Sequence, residues 1–261
     1  DGPAGRIDVN GASIVDFISQ PATQTGFRTT TIGGLEPGKS HTFSLGDGGE
    51  QIVENTWNAV PGHDTVDLLV VGGTASGVAA AVTAARLGMR VALVEESNRL
   101  GGMASNGLGS TDLGRLEYSN GFFDDFRLRV IDFYGQTDGR RYEPRVANAL
   151  IKSMVYEHPN IRVYLKTQAV RPVLRGGTAL GADLQELTSD RTGRILARRT
   201  IDATYNADFA VMSGAQFYAG REARSACEPH AGKIYFDDRT QEILPGSTGE
   251  ADALQQSYSY L

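Results

Sequence analysis

The chain is poor in the residues that most readily declare a chemistry. It carries one cysteine, Cys227, so no disulfide can close within it, and its redox compartment is left open. Its four histidines are scattered and its carboxylates lack the spacing of a calcium loop, so no metal site is expected. Neither a nucleophile elbow nor an activated-cysteine signature occurs, which argues against a serine or cysteine hydrolase. With 25 Lys and Arg against 31 Asp and Glu, the net charge is −6, and no basic run is present to hold nucleic acid or an anionic membrane. One uncharged stretch, Leu68 to Ala85, is about as long as a membrane span, but its glycines, threonines and serine and its internal position make it a buried strand and helix. The sequence opens at Asp1 without a charged and apolar leader, the pattern of a processed or trimmed chain. Secretion is the expectation, with the cytoplasm as alternative.

What is present is concentrated between Asp67 and Glu96, DLLVVGGTASGVAAAVTAARLGMRVALVEE. Asp67 to Val71 is a short branched and leucine-rich run closed by Gly72 and Gly73, as expected for a parallel strand buried on both faces. The small residues from Ser76 to Leu87 favour a helix that packs closely on a sheet, and Gly88 lies where a C-terminal stop belongs. Met89 to Val94 supplies a second strand. Glu95 follows Gly77 by 18 residues, near the spacing of about 20 at which a carboxylate meets a ribose hydroxyl. A pyrophosphate can sit at the helix N-terminus without lysine or arginine, because free N–H groups and a partial positive charge are already there. The glycine fingerprint departs from G-x-G-x-x-G at Thr74, whose side chain is expected to point away while its backbone approaches the phosphates. An ordinary strand-helix-strand crossover with a glycine turn is the simpler alternative.

Beyond the acid come Arg99-Leu100-Gly101-Gly102-Met103, and much later Ile201-Asp202-Ala203-Thr204. With Val71 to Val78 and Glu95, these pieces resemble the glutathione-reductase-like flavoproteins. The resemblance is nearer to the group known as FAD-dependent oxidoreductases, some of which carry a xanthan-lyase-related label. It covers roughly residues 65 to 261 and includes threonine at position 74 as a familiar variant. No lyase chemistry is inferred from the label. The resemblance implies FAD rather than NAD as cofactor. It also implies cofactor contacts from Gly72, Gly73, Thr74, Ala75, Ser76, Gly77, Glu95, Glu96, Arg99, Gly101, Gly102 and Met103, and from Ala203 and Thr204 beside the pyrophosphate. Ala169 and Val170 would lay backbone against the adenine, or simply form another strand.

The rest of the chain is read around this centre. Residues 1–62 form a β-rich appendage and linker, 63–214 the FAD-binding domain, and 215–261 the start of a substrate or interface region. In the appendage, Gly5–Val9, Gly26–Ile32 and Ser40–Leu45 read as strands, and Gly34 to Phe43 looks like a corner of a fibronectin-type sandwich. A full sandwich would need about 100 residues. Ala59 to His63 is the linker. The fold class is therefore α/β: a Rossmann-like domain with a parallel sheet and an antiparallel excursion, preceded by a small β appendage.

The five glycines of Gly101 to Gly114 suit a loop running along a flat cofactor, or a flexible linker. Phe122–Tyr134 and Pro144–Tyr156 have helical spacing, and their apolar residues read as core. Ile161–Leu165 is a strand that Thr167–Val170 would continue, and Val173–Arg199 is an antiparallel excursion with turns at Gly176-Gly177 and Thr192-Gly193. Arg199–Thr204 is a further strand. Asp208 would either cap the helix that begins at Phe209 or meet the cofactor, with capping preferred.

Residues 215–245 mix charges with Tyr218, Tyr235 and Phe236, which suits a substrate-facing loop or a solvated loop of ion pairs. His230 is the candidate for acid-base work there, against a structural histidine. The final Gln255 to Leu261 reads as the beginning of a strand. A second polypeptide completing the flavin fold is therefore expected, and the chain would be incomplete without it. Three functions stay open. The first is an FAD-dependent oxidoreductase moving a hydride or two electrons from an organic substrate, such as a sugar or alcohol, to the flavin. The second is a carbohydrate-binding or lyase-type component with a structural nucleotide. The third is an NAD module, against which Leu100-Gly101-Gly102 argues.

Overall fold

The computed structural model describes residues 60–111, 116–135, 137–237, 239–240 and 242–254, together with the backbone of four strands in the first 55 residues. The chain divides into two compact units, Asp1–Ser213 and Gly214–Leu261. In the first 55 residues β1 (Ala4–Val9), β2 (Ala12–Ile18), β3 (Ser40–Leu45) and β4 (Gln51–Asn55) make an antiparallel sheet in the order β2-β1-β3-β4. Two of the expected strands reappear as β1 and β3. Gly26–Ile32 and most of the Gly34 to Phe43 corner lie outside the described residues.

The second sheet begins at β5 (His63–Val71), followed by α1 (Ala75–Arg86) and β6 (Val91–Glu95). His63, expected in a linker, is already paired with Arg194 in this sheet. Met89 belongs to the helix exit rather than to a strand, because its N–H is donated to the Ala84 carbonyl. Next come α2 (Met103–Asn106), α3 (Gly121–Tyr134), α4 (Pro144–Tyr156) and β7 (Ile161–Leu165). The meander β8 (Thr167–Arg175), β9 (Thr178–Glu186) and β10 (Thr192–Asp202) follows, and α5 (Asp208–Met212) closes the unit. The strand order is β7-β6-β5-β10-β9-β8, parallel from β7 to β10 and antiparallel thereafter.

Strand alternation splits the parallel strands between two cores. Leu68 and Val70 of β5, Val91 and Leu93 of β6, and Val163 and Leu165 of β7 face α1, α3 and α4, packing on Val78, Ala81, Val82, Phe126 and Met154. Leu69, Val71, Ala92, Val94 and Tyr164 face the other way, onto Ala182, Leu184, Ile195 and Phe209. The alanines of α1 let its axis lie close to the sheet. Each buried Val, Leu or Ile contributes about 1.5–3 kcal/mol by leaving water. Tyr164 is almost fully buried, and desolvation, then the neighbouring Asp64 charge, push its phenol up to about 12.

Two expectations about the meander need correction. Thr167–Val170 do not continue β7, because the chain bends at Lys166, which takes φ 53 and donates its N–H to the Ser97 carbonyl, and the strand beyond it keeps the same sense as β7 but pairs with β9. The two strands it joins therefore stand at opposite ends of the sheet order. Thr192 and Gly193 are not a turn either. They pair with Gln185 and Leu184, and the reversal lies between Glu186 and Arg191, whose N–H and carbonyl bond at 2.9 Å. Its stem is fixed by Asp183, which accepts from Arg194 at 2.6 Å and from Arg171 at 2.6 and 2.9 Å.

The second unit holds neither helix nor extended strand among its described residues. Arg221 and Asp252 are joined there by two backbone hydrogen bonds and an ion pair, and Phe236 bridges Ile243. Gln255–Leu261 lie outside the described residues. Among the described residues, no helix is long and apolar enough to cross a membrane.

Candidate functional site

The C-terminal ends of β5, β6 and β10 meet at the start of α1, the edge where open α/β sheets bind ligands. Thr74 is the N-cap of α1. Its buried hydroxyl accepts the Gly77 N–H at 3.2 Å and donates to the Ala203 carbonyl at 2.8 Å. The side chain is thus turned into the protein, and it ties the turn after β5 to the end of β10. Ala75 and Ser76, exposed at the next two positions, have N–H groups that helix geometry leaves without an intrahelical partner. The first turn carries no acidic residue to repel an anion. Gly77 must be glycine here, since a Cβ would overlap the Gly72 carbonyl oxygen and lie 3.0 Å from the Ala203 side chain.

Glu95 is half-buried at the end of β6. One carboxylate oxygen accepts the Gly73 N–H at 2.7 Å and the other the Ser97 N–H at 2.8 Å. It clasps the glycine turn to the loop that follows β6, and the remaining lone pairs of its oxygens can still accept from a ligand. That loop lies against the turn in turn, with the Gly101 N–H donated to the Gly73 carbonyl at 2.7 Å. Asn148 of α4 accepts the Leu100 N–H at 3.0 Å, and the Ser105 hydroxyl donates to the Leu100 carbonyl. Arg99 donates to the Ser105 carbonyl at 2.6 Å and so braces the loop from behind.

These elements enclose two cavities. One, of about 230 Å³, lies between Gly72, Glu95, Glu96, Gly102, Ala169 and Thr204. The other, of about 690 Å³, is bounded by Ser76, Gly101, Met103 and the apolar side chains of Leu108, Phe122 and Ile151. Thr74 and Tyr205 line both. The expected residues thus gather around the start of α1 with three departures, the first being Arg99, which lines neither cavity and is engaged with the Ser105 carbonyl. Val170, one place along the strand from Ala169, lines a different cleft beside Arg171 and Asp183. His230 lies in the second unit, exposed, with its ring edge-on to Phe236 at 6.0 Å.

The expected cap at Asp208 is also corrected. Asp208 is already inside the first turn of α5, and the carboxylate that caps this helix is Asp202, which accepts the Ala210 N–H at 2.6 Å. Its other oxygen accepts from the Thr204 N–H and hydroxyl at 2.8 and 2.7 Å, and the Thr204 hydroxyl in turn accepts the Asp208 N–H at 2.9 Å. Ser97, Thr167, Tyr205 and Asn206 join the lining without having been singled out from the sequence, whereas Asn106 comes from the glycine-rich loop expected to run along the cofactor. Tyr205 and Asn206 directly follow Ala203-Thr204 at the end of a parallel strand, a position that could have marked them.

The residues present fit a dinucleotide. Carboxylates stand at one end, uncompensated helix N–H groups in the middle and an apolar cavity at the other end, and the backbone approach at Gly77 leaves no room for a side chain. Among the described residues no cluster of His, Cys, Asp or Glu could hold a metal ion.

No curated protein matches the sequence. Among solved structures, the chain is similar to THI4 of Thermovibrio ammonificans, with 21% identity and a TM-score of 0.44 over 62% of this chain and 69% of that one. It is similar to a geranylgeranyl bacteriochlorophyll reductase-like protein of Thermoplasma acidophilum, with 16% identity and a TM-score of 0.43 over 68% and 51%. The myxobacterial chondrochloren halogenase CndH, described as a variant of FAD-dependent halogenases, has 15% identity and a TM-score of 0.43 over 54% and 37%. The chain spans about half of the reductase-like protein and less of the halogenase. The family model for FAD dependent oxidoreductases matches residues 67–258, most of the sequence. The chain belongs to the FAD dependent oxidoreductase family, and its cofactor is FAD.

Proposed function

We propose that this chain forms the FAD-holding part of an oxidoreductase of the glutathione-reductase-like type, which takes a hydride or two electrons from an organic substrate such as a sugar or an alcohol. The observation that carries the reading is the pair of cavities joined at the start of α1, polar on the Glu95 side and apolar on the Phe122 side. Bound FAD supplies the two-electron acceptor, which no side chain can provide. The chain's own residues bind and orient it. The Ala75 and Ser76 N–H groups meet the diphosphate, Glu95 and Glu96 accept from ribose hydroxyls, and Ala169 lies alongside the adenine. The loop from Gly101 to Met103 and the pair Ala203-Thr204 flank the bridge between the two halves. His230 is the candidate for moving a proton. A second polypeptide completing the flavin site, and a location outside the cytoplasm, belong to the same proposal.

The test is a spectrum of the purified protein, followed by denaturation, identification of the released cofactor and intact mass of every polypeptide. Flavin bands that bleach under anaerobic sugar or alcohol, with FAD released and a second chain in the preparation, are the expected result. A colourless preparation that takes up no added FAD overturns the oxidoreductase reading. A yellow single chain that is reduced on its own overturns the second polypeptide alone.

A further inference from the structure

Tyr205 stands where the two cavities meet. It lines both, and its phenol oxygen accepts the Met103 N–H at 2.7 Å. A Cβ added to Gly102 would overlap that oxygen and would lie 3.2 Å from the Cα of Thr74, the N-cap of α1. The hydroxyl is therefore held beside the first turn of α1, on the path from the polar cleft to the apolar cavity. Core packing does not explain the position, because the residue is 58% exposed. A phenol can accept one hydrogen bond and donate another. Accepting from Met103 fixes the oxygen, and among the described residues nothing takes the proton it has left to give.

We infer that Tyr205 binds the diphosphate bridge of FAD, its hydroxyl donating to a phosphate oxygen while the Met103 N–H holds it in place. This rests on the FAD reading above and adds to it a donor from the loop after β10. A ligand that fills both cavities must pass this hydroxyl, and in FAD the part that lies at the start of α1 is the anionic one. A donor already fixed by a second hydrogen bond loses little freedom when it meets the phosphate.

The experiment is a calorimetric titration of protein depleted of nucleotide, wild type and Tyr205→Phe, with FAD, ADP and adenosine. Loss of one hydrogen bond to a charged group is expected to weaken FAD and ADP about tenfold or more and to leave adenosine unchanged. The melting temperature of the ligand-free variant is expected to stay at the wild-type value, since water can replace the phenol at the exposed Met103 N–H. Equal weakening of all three ligands, or none at all, overturns the inference. Tighter FAD binding by Tyr205→Ala also overturns it, by showing the ring to be an obstruction. Failure of the wild-type protein to bind FAD removes the FAD reading and this inference together, whereas normal FAD binding by Tyr205→Phe removes this inference only.

Discussion

Glu95 holds the Gly73 N–H at 2.7 Å with one carboxylate oxygen and the Ser97 N–H with the other, so the acid at the end of the second strand is first a clasp on its own backbone. Replacing it with alanine strands the N–H of buried Gly73. Glu95→Ala is expected to cost about 1–3 kcal/mol of stability in chemical denaturation even without cofactor, and to weaken FAD binding as well. Glu95→Gln keeps one acceptor and should lose less of both. If Glu95→Ala leaves ligand-free stability unchanged, the clasp contributes nothing.

Gly77 meets the Gly72 carbonyl and the Ala203 side chain so closely that one methyl group cannot enter. Gly77→Ala should push α1 off the glycine turn at a cost of about 1–3 kcal/mol. The expected outcome is a folded protein that purifies with far less flavin per chain, read from the ratio of visible to ultraviolet absorbance. An unchanged ratio would mean that the turn yields without disturbing the site.

Asp202 caps α5 through the Ala210 N–H and shapes the turn through Thr204, which brings Tyr205 to the cleft. Asp202→Ala should remove about 1–2 kcal/mol, as for the loss of a helix cap. It should also weaken FAD binding, because Tyr205 is no longer placed. Asp208→Ala, which removes a carboxylate that caps nothing, should leave stability nearly unchanged. Equal effects of the two substitutions in thermal melts would refute this assignment of the cap.

Asp183 is held down to about 2, chiefly by the hydrogen bond from Arg194, with Arg171 adding to it. A carboxylate whose folded value lies below its unfolded value of about 3.9 stabilises the fold above that unfolded value, and the contribution is lost as pH falls from there through about 2. With the Arg171 and Arg194 side chains 73% and 42% exposed, solvent screening reduces the contribution to about 1–2 kcal/mol. Asp183→Asn should therefore destabilise at neutral pH and flatten the fall in stability between about pH 4 and pH 2. A variant that loses stability in parallel with the wild type across that window would place the effect elsewhere.

The strand, turn, helix and acid between Asp67 and Glu95 were legible because each is local: branched residues, then glycines, then alanines, then a second apolar run. The loop at Gly101-Gly102 was legible for the same reason. What escaped depends on residues far apart. Lys166 bends the chain out of β7 with no glycine or proline to announce it. Asp202 looks like part of a strand, and its capping role exists only because α5 folds back over it. Tyr205 acquires its neighbours from a loop about a hundred residues earlier, and Asn148 reaches Leu100 from another helix. No periodicity records such meetings.

The pairing of Val66 with Ala197 also governs when the site can exist. β5 leads directly into α1 early in the chain, but its neighbour β10 comes only after the helices and most of the meander. Closing so long a loop is slow compared with forming the local units it encloses. The first half of the cofactor cradle can therefore form during synthesis, whereas Ala203, Thr204 and Tyr205 reach it only when the sheet closes. A ligand that needs both halves binds the closed domain alone, and free FAD at a hundred times its dissociation constant would hold that closure in place by about 2.7 kcal/mol. Availability of FAD in the cell would then set how much of the newly made chain survives, before any substrate is met.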